Sequence, residues 1–240
     1  IKVLKRISED SGVHIVATAG FYTWPFIPRQ VDERSIPQLA DDLILELTQG
    51  ADGSDTTAGI LKSAIHFDRI GGIEEKCLRA VARASIATGA AITTHTNGKR
   101  HQEIPGGNVG MQHVRILRDE GVSLDRLVVG HTDEHPDINF LSELAELGCY
   151  VQFDVLEKTH YLLDLTRAKL IRELIRRGHL NKILLGTDRC RHSELYEERG
   201  GVGYTYILET FIGMLEAEGV SSAEIDRICR VNPGEMLAFG

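Results

Sequence analysis

Four short apolar runs end at residues able to bind a metal: ILK at Lys62, ITTH at His95, VVGH at His131 and LLGTD at Asp188. Imidazole nitrogen and carboxylate oxygen are the ligands that zinc and similar divalent ions take at catalytic sites that keep a position open for water. A cation so held lowers the pKa of its water toward neutrality and polarises the bond to be broken. Lysine is the odd member, because an ammonium repels a cation. It joins such a set only when carbon dioxide carboxylates its amine, which turns it into an anion able to bridge two metals. The plainer readings are a snorkelling or ion-paired Lys62 and a helix-capping Asp188 at a strand-helix junction.

These residues must be positioned by the elements that carry them, and the chain alternates strands with helices throughout. VHIVATAG (13–20) reads as a buried strand, and Ser35 to Gly50 as a helix with Ser35 as its cap and Gly50 as its stop. AGILKSA, AAITTHT, RLVVGH, CYVQFD and KILLGTD read as further strands. Between them come helices from about Gly72 to Thr88, Val109 to Glu120, Ile138 to Leu147 and Leu165 to Arg177, and two or three more close the chain. Continuous apolar strands separated by amphipathic helices are the pattern of a parallel sheet covered by helices on both faces. In an α/β barrel of this kind the carboxyl ends of the strands meet at one face, so residues distant in sequence can converge on one ion. Four such endings in order point to a metal-dependent hydrolase.

Composition narrows the alternatives. With 27 Lys and Arg against 35 Asp and Glu the net charge is -8, and no basic stripe is present, so a nucleic-acid partner or an anionic membrane surface is not expected. No apolar run approaches the length of a transmembrane helix, and no signal peptide opens the chain. Cys77, Cys149, Cys190 and Cys229 lie far apart with no Cys-x-x-Cys pair, which suggests reduced thiols and a cytoplasmic setting. No linker divides the 240 residues, which read as a single barrel domain.

The set AGILKSA, AITTHTNG, LVVGHTDE and ILLGTD, together with GFYTW, GMQHVRIL and the terminal VNPGEMLAF, resembles the phosphotriesterase family of the amidohydrolase superfamily over nearly the whole chain. The resemblance implies a TIM (β/α)8 barrel whose first strand ends in a His-x-His pair. No His-x-His occurs in these residues, and the chain reads as starting just before the third strand, so about six of the eight βα units are expected, with the first two missing and the piece marginally stable alone. By resemblance Lys62, as a carbon dioxide-derived carboxylate, His95, His131 and Asp188 hold two divalent ions, expected to be zinc. Asp188 also accepts a proton from a metal-bridging hydroxide that attacks an ester-type bond: a lactone, a carboxylic ester or a phosphoric triester. Tyr22 and Trp24 would line the substrate cleft, with loop packing against Pro25 and Phe26 as the alternative. Asp154 matches an acidic residue at the end of the seventh strand. The next position, which carries His in phosphotriesterases and Arg in the related lactonases, is Val155, so their charged contact is expected to be lost.

The implied partner is a small uncharged substrate with an apolar part, with a homodimer as a possible assembly. An amide hydrolase on the same centre, a degenerate barrel that only binds a ligand, and an aldolase using Lys62 as a Schiff base remain open, although the aldolase leaves His95, His131 and Asp188 without a role. His14, His66, His101, His113, His135, His160, His179 and His192 lack the strand-end context and read as surface or structural residues.

Overall fold

The computed structural model describes residues 1–65, 70–96, 109–196 and 200–239; His66, His101, the Asn97–Gly98 end of one matched motif and part of the loop after Asp188 lie outside them. In chain order the elements are α1 (Lys2–Ser11), β1 (Thr18–Gly20), α2 (Gln30–Glu33), α3 (Ile36–Thr48), β2 (Ile60–Ala64), α4 (Gly72–Thr88), β3 (Ile92–His95), α5 (Val109–Glu120), β4 (Leu127–Val129), α6 (Ile138–Glu146), β5 (Tyr150–Phe153), α7 (Asp164–Arg176), β6 (Ile183–Leu185), α8 (Ile212–Ala217), α9 (Ser222–Asp226) and α10 (Asn232–Leu237). Strand order follows the chain. The described residues cluster into two compact units, one holding those before Val129 together with the last few from Met236, the other holding Val129–Glu235.

In the first unit β1, β2, β3 and β4 pair in parallel, with Gly20 opposite Lys62, Lys62 opposite Thr93, Ala64 opposite His95 and Ile92 opposite Leu127. Leu61, Ile92 and Leu127 of these strands are fully buried, as are Leu78 and Val81 of α4. Each such side chain contributes about 1.5–3 kcal/mol relative to exposure. Side chains decide where the helices start and stop. Ser35 caps α3 and forms a reciprocal capping box with Gln38, while Gly89, left-handed at φ 71 to 78 like the glycine ending α1, terminates α4.

The strand read over 13–20 is shorter than expected. Only Thr18–Gly20 forms β1, and Val13, Ile15 and Val16 are 61%, 37% and 49% exposed. The ladder begins at Thr18, where Ile60 first supplies a partner, and apolar content alone does not make a strand without a neighbour.

In the second unit β5 and β6 pair in parallel, Val151 opposite Ile183 and Phe153 opposite Leu185. The helices α6 and α7 bury Leu141, Leu144, Ile171 and Leu174 completely. The terminal Val-Asn-Pro-Gly motif has a structural task here: the fully buried Asn232 side chain donates to the carbonyls of Leu180 and Ile183 at 2.9 and 2.8 Å, fastening the start of α10 beneath β6. Among the described residues no helix is long and apolar enough to cross a membrane.

Candidate active site

Parallel pairing brings the carboxyl ends of neighbouring strands to one edge within each unit; Lys62 and His95 belong to the first unit, His131 and Asp188 to the second. In the first unit Lys62 is half-buried in β2, and its ammonium donates to the carbonyl of Thr94 at 3.3 Å. The backbone of Gly20 crowds it from β1: a Cβ at Gly20, where φ is +141°, would lie 2.1 Å from the Lys62 carbonyl oxygen. Only glycine fits that approach. His95 ends β3, and the ring of Tyr22 meets its imidazole edge-on at 5.4 Å between centroids. Tyr22 and Trp24 are about half exposed. Tyr22 also tilts against Phe26, with centroids 6.0 Å apart, and the backbone N–H of Trp24 donates to the Glu74 carboxylate at 3.1 Å, so this segment is both packed in its loop and open to solvent.

In the second unit His131 follows β4 and Asp154 follows β5. One oxygen of Asp154 accepts the backbone N–H of His131 at 2.9 Å and lies 2.7 Å from its Nδ1. Burial alone pulls the His131 pKa down, but Asp154, helped by Asp188 and Glu134, outweighs this and pushes it up to about 9. Asp154 is held in turn by Asp133, whose carboxylate accepts its backbone N–H at 3.4 Å, and Gly186 presses on it, since a Cβ there would lie 2.8 Å from the Asp154 Cβ.

Behind these residues lies an ionic core that the sequence reading missed. Arg167 is completely buried, and its Nε donates to Asp133 at 2.6 Å. Its Nη1 donates to Asp164 at 2.7 Å and to the carbonyl of Leu162. Burial, with Asp154 nearby, raises the Asp133 pKa, and Arg167 opposes that rise. Asp164 also accepts the Glu157 N–H at 3.0 Å and the Tyr206 hydroxyl at 2.6 Å. The Asp164-x-x-Arg167 spacing, which puts both on one face of α7, was the available signal.

Asp188 lies just beyond β6 and caps no helix; the short helical turn that follows begins after Arg191. Lys158 donates to its backbone oxygen at 2.5 Å and to Oδ2 at 2.7 Å. Burial pulls the Lys158 amine down, but Asp188, Cys190 and Glu194 together leave its pKa raised. Val155 itself is buried, as expected of an apolar residue, and the charged side chain that lies against Asp188 is Lys158, three positions later. Sequence position could not show this, because the turn that brings Lys158 back is set by Glu157 at φ +73°. His131 at +54° and Asp188 at +45° are left-handed as well, a conformation that non-glycine residues adopt where the surroundings hold them, often at functional sites.

Among the described residues no group of three or more His, Cys, Asp and Glu side chains is arranged to hold a metal by itself, so a metal reading rests on the chemistry of individual donors. His131 fits that chemistry: a carboxylate on one ring nitrogen is the arrangement that orients a metal-ligating imidazole.

The sequence profile of the phosphotriesterase family matches residues 1–237, and the chain belongs to that family. It is a hydrolase of this family. N-acetyltaurine hydrolase of Rattus norvegicus is 31% identical over 252 residues, covering all of this chain and 69% of its own. The crystal structure of the phosphotriesterase homology protein from Escherichia coli, complexed with phosphate in its active site, superimposes with a TM-score of 0.91 at 34% identity, over 99% of this chain and 79% of that one. A lactonase from Listeria monocytogenes gives 0.87 at 25% identity, over 99% and 77%. The α/β barrel class expected from the sequence is the class of these neighbours.

Proposed function

We propose that the protein is a metal-dependent hydrolase that cleaves acyl or related ester-type bonds. The observation that carries this reading is the pair of hydrogen bonds between His131 and Asp154, which fixes Nδ1 toward the carboxylate and makes Nε2 the nitrogen a metal would take. The family's ligand set corresponds here to Lys62, as its carboxylated form, His95, His131 and Asp188. Two divalent ions, expected to be zinc, would supply Lewis acidity and a water of lowered pKa when bound.

The chain's own residues do the rest. Asp154 orients His131, which gives the acid a supporting role rather than direct substrate contact. Asp188, held by Lys158, accepts the proton of the attacking water and passes it to the leaving group. Tyr22 and Trp24 offer an apolar surface to the non-reacting part of a small substrate.

Similarity to N-acetyltaurine hydrolases favours a second reading in which the scissile bond is an amide. A panel of a γ-lactone, 4-nitrophenyl acetate, paraoxon and N-acetyltaurine separates the classes. Fast paraoxon turnover with sluggish lactone, ester and amide turnover refutes the acyl reading. Elemental analysis tests the metal: an active full-length preparation without divalent metal ends the proposal. Lys62→Ala should lose most activity, and added short carboxylic acids should partly restore it by occupying the place of the carboxylated amine.

A further inference from the structure

We propose that Lys158 is the positioning residue of Asp188: it holds the carboxylate in the one backbone conformation and orientation in which it can bind a metal and take a proton. The inference rests on the proposed role of Asp188 in hydrolysis.

The structure supports it in three steps. Lys158 is nine-tenths buried and its ammonium grips Asp188 twice, through the main-chain oxygen and Oδ2, with the Glu194 carboxylate 3.8 Å away as a second anionic neighbour. That grip occupies one carboxylate oxygen and leaves Oδ1 without a hydrogen-bond partner among the described residues. A ligating carboxylate needs this division of labour, one oxygen held and the other presented.

Lys158 is itself aimed by its surroundings. Its N–H closes a turn onto the Val155 carbonyl at 3.1 Å, and the preceding Glu157, left-handed, is pinned by Asp164. Glu157 also pairs with Arg189 at 2.7 Å, so residues 157 and 158 clamp residues 189 and 188 side by side. The Arg189 side chain is 1% exposed and its Nε reaches the Gly203 carbonyl at 3.2 Å.

The far side of the same loop is tied as well. Glu194 accepts the backbone N–H groups of Cys190 and Arg191, each at 3.0 Å. The loop carrying Asp188 is thus fixed on both flanks, and Lys158 is the contact that acts on Asp188 directly. A left-handed, 39% exposed aspartate would otherwise relax into solvent.

Lys158 could instead be a plain neighbouring cation, and the two roles predict opposite effects on metal affinity. Removing a mere cation beside Asp188 strengthens the binding of another cation, whereas removing a positioning contact weakens it. The test compares Lys158→Met, Lys158→Arg and Asp188→Asn in the full-length protein. It uses zinc titration of metal-free protein, and kcat and KM on whichever panel substrate turns over. Lys158→Met should bind zinc about 10- to 100-fold more weakly and lose about as much in kcat with KM little changed. Lys158→Arg, which keeps the charge and its donors, should recover part of both losses. Melting temperature and circular dichroism identify a variant that has failed to fold, in which case Lys158→Arg and Arg189→Met, which loosens only the outer clamp, carry the comparison. Zinc affinity and kcat unchanged or raised in a folded Lys158→Met, with Asp188→Asn inactive, overturn the inference alone. An Asp188→Asn protein with full turnover overturns the reading of Asp188 beneath it.

Discussion

Replacing Arg167 by Met should be among the most damaging single changes outside the reacting residues. The guanidinium and the Asp133 side chain are both fully buried, and Asp164 is 4% exposed, so neither carboxylate can turn to water when the cation goes. Breaking a buried pair by removing one partner leaves an uncompensated charge and costs about 3–5 kcal/mol. Two features place the expected loss toward the lower end. Asp164 keeps the Glu157 N–H and the Tyr206 hydroxyl, and the Nη2 of Arg167 is buried without a partner among the described residues, so the native arrangement already carries a penalty. About 3 kcal/mol is a large share of the 5–15 kcal/mol that holds a typical domain. Urea denaturation followed by circular dichroism should show the midpoint falling by about 1–2 M at unchanged slope. Asp133→Asn added to Arg167→Met should recover part of the loss, because the stranded charge is removed. Arg230→Gln, which breaks an exposed pair with Asp226, should leave the midpoint essentially where it is, because solvent screens that pair. An Arg167→Met protein within about 1 kcal/mol of the parent would refute the reasoning.

Gly186→Ala should displace Asp154, since the added Cβ would lie 2.8 Å from the Asp154 Cβ, and reduce turnover about tenfold or more with the circular dichroism spectrum intact; kinetics on the substrate panel check this. Burial pushes the Cys77 and Cys149 thiols up to about 12, so a disulfide reagent at pH 8 should label exposed Cys190 quickly and leave those two untouched until denaturant is added. The Glu46 carboxyl is raised by burial and by Asp52 and Asp42, so the folded state disfavours its charge, and the protein loses stability as pH rises from about 4.5 through the folded value. Glu46→Gln should therefore raise the melting temperature at pH 7, with the gain shrinking to nothing well below pH 4.5.

Local chemistry made much of the fold legible. The cap at Ser35, the stop at Gly89 and the apolar runs ending at Lys62, His95, His131 and Asp188 are written in a few adjacent residues, and helices and strands appear where those signals place them, with the first strand cut short for want of a partner. The support of the site was not legible for the opposite reason. Lys158 reaches Asp188 across 30 positions and Arg167 reaches Asp133 across 34; the Asp164-x-x-Arg167 spacing marks an ion pair on one helix face but not its burial or its third partner, and Lys158 has no local signal at all. The cation beside Asp188 shows the same limit, since Lys158 arrives there by the turn over residues 155–158.

The left-handed backbones at His131, Glu157 and Asp188 matter to anyone selecting hardier variants of this enzyme. Histidine and aspartate tolerate that conformation better than most residues, but glutamate does not, and glycine would adopt it with less strain at all three positions. At Glu157 the relief, about 1–3 kcal/mol at most, is outweighed, because glycine would strand the cation of the almost fully buried Arg189 side chain. A thermal screen blind to catalysis would therefore keep glutamate at this codon for its charge, and with it the turn that aims the neighbouring lysine. Robustness and the hold on Asp188 are tied to one residue, and a natural homologue carrying glycine there should also have replaced the arginine that pairs with it.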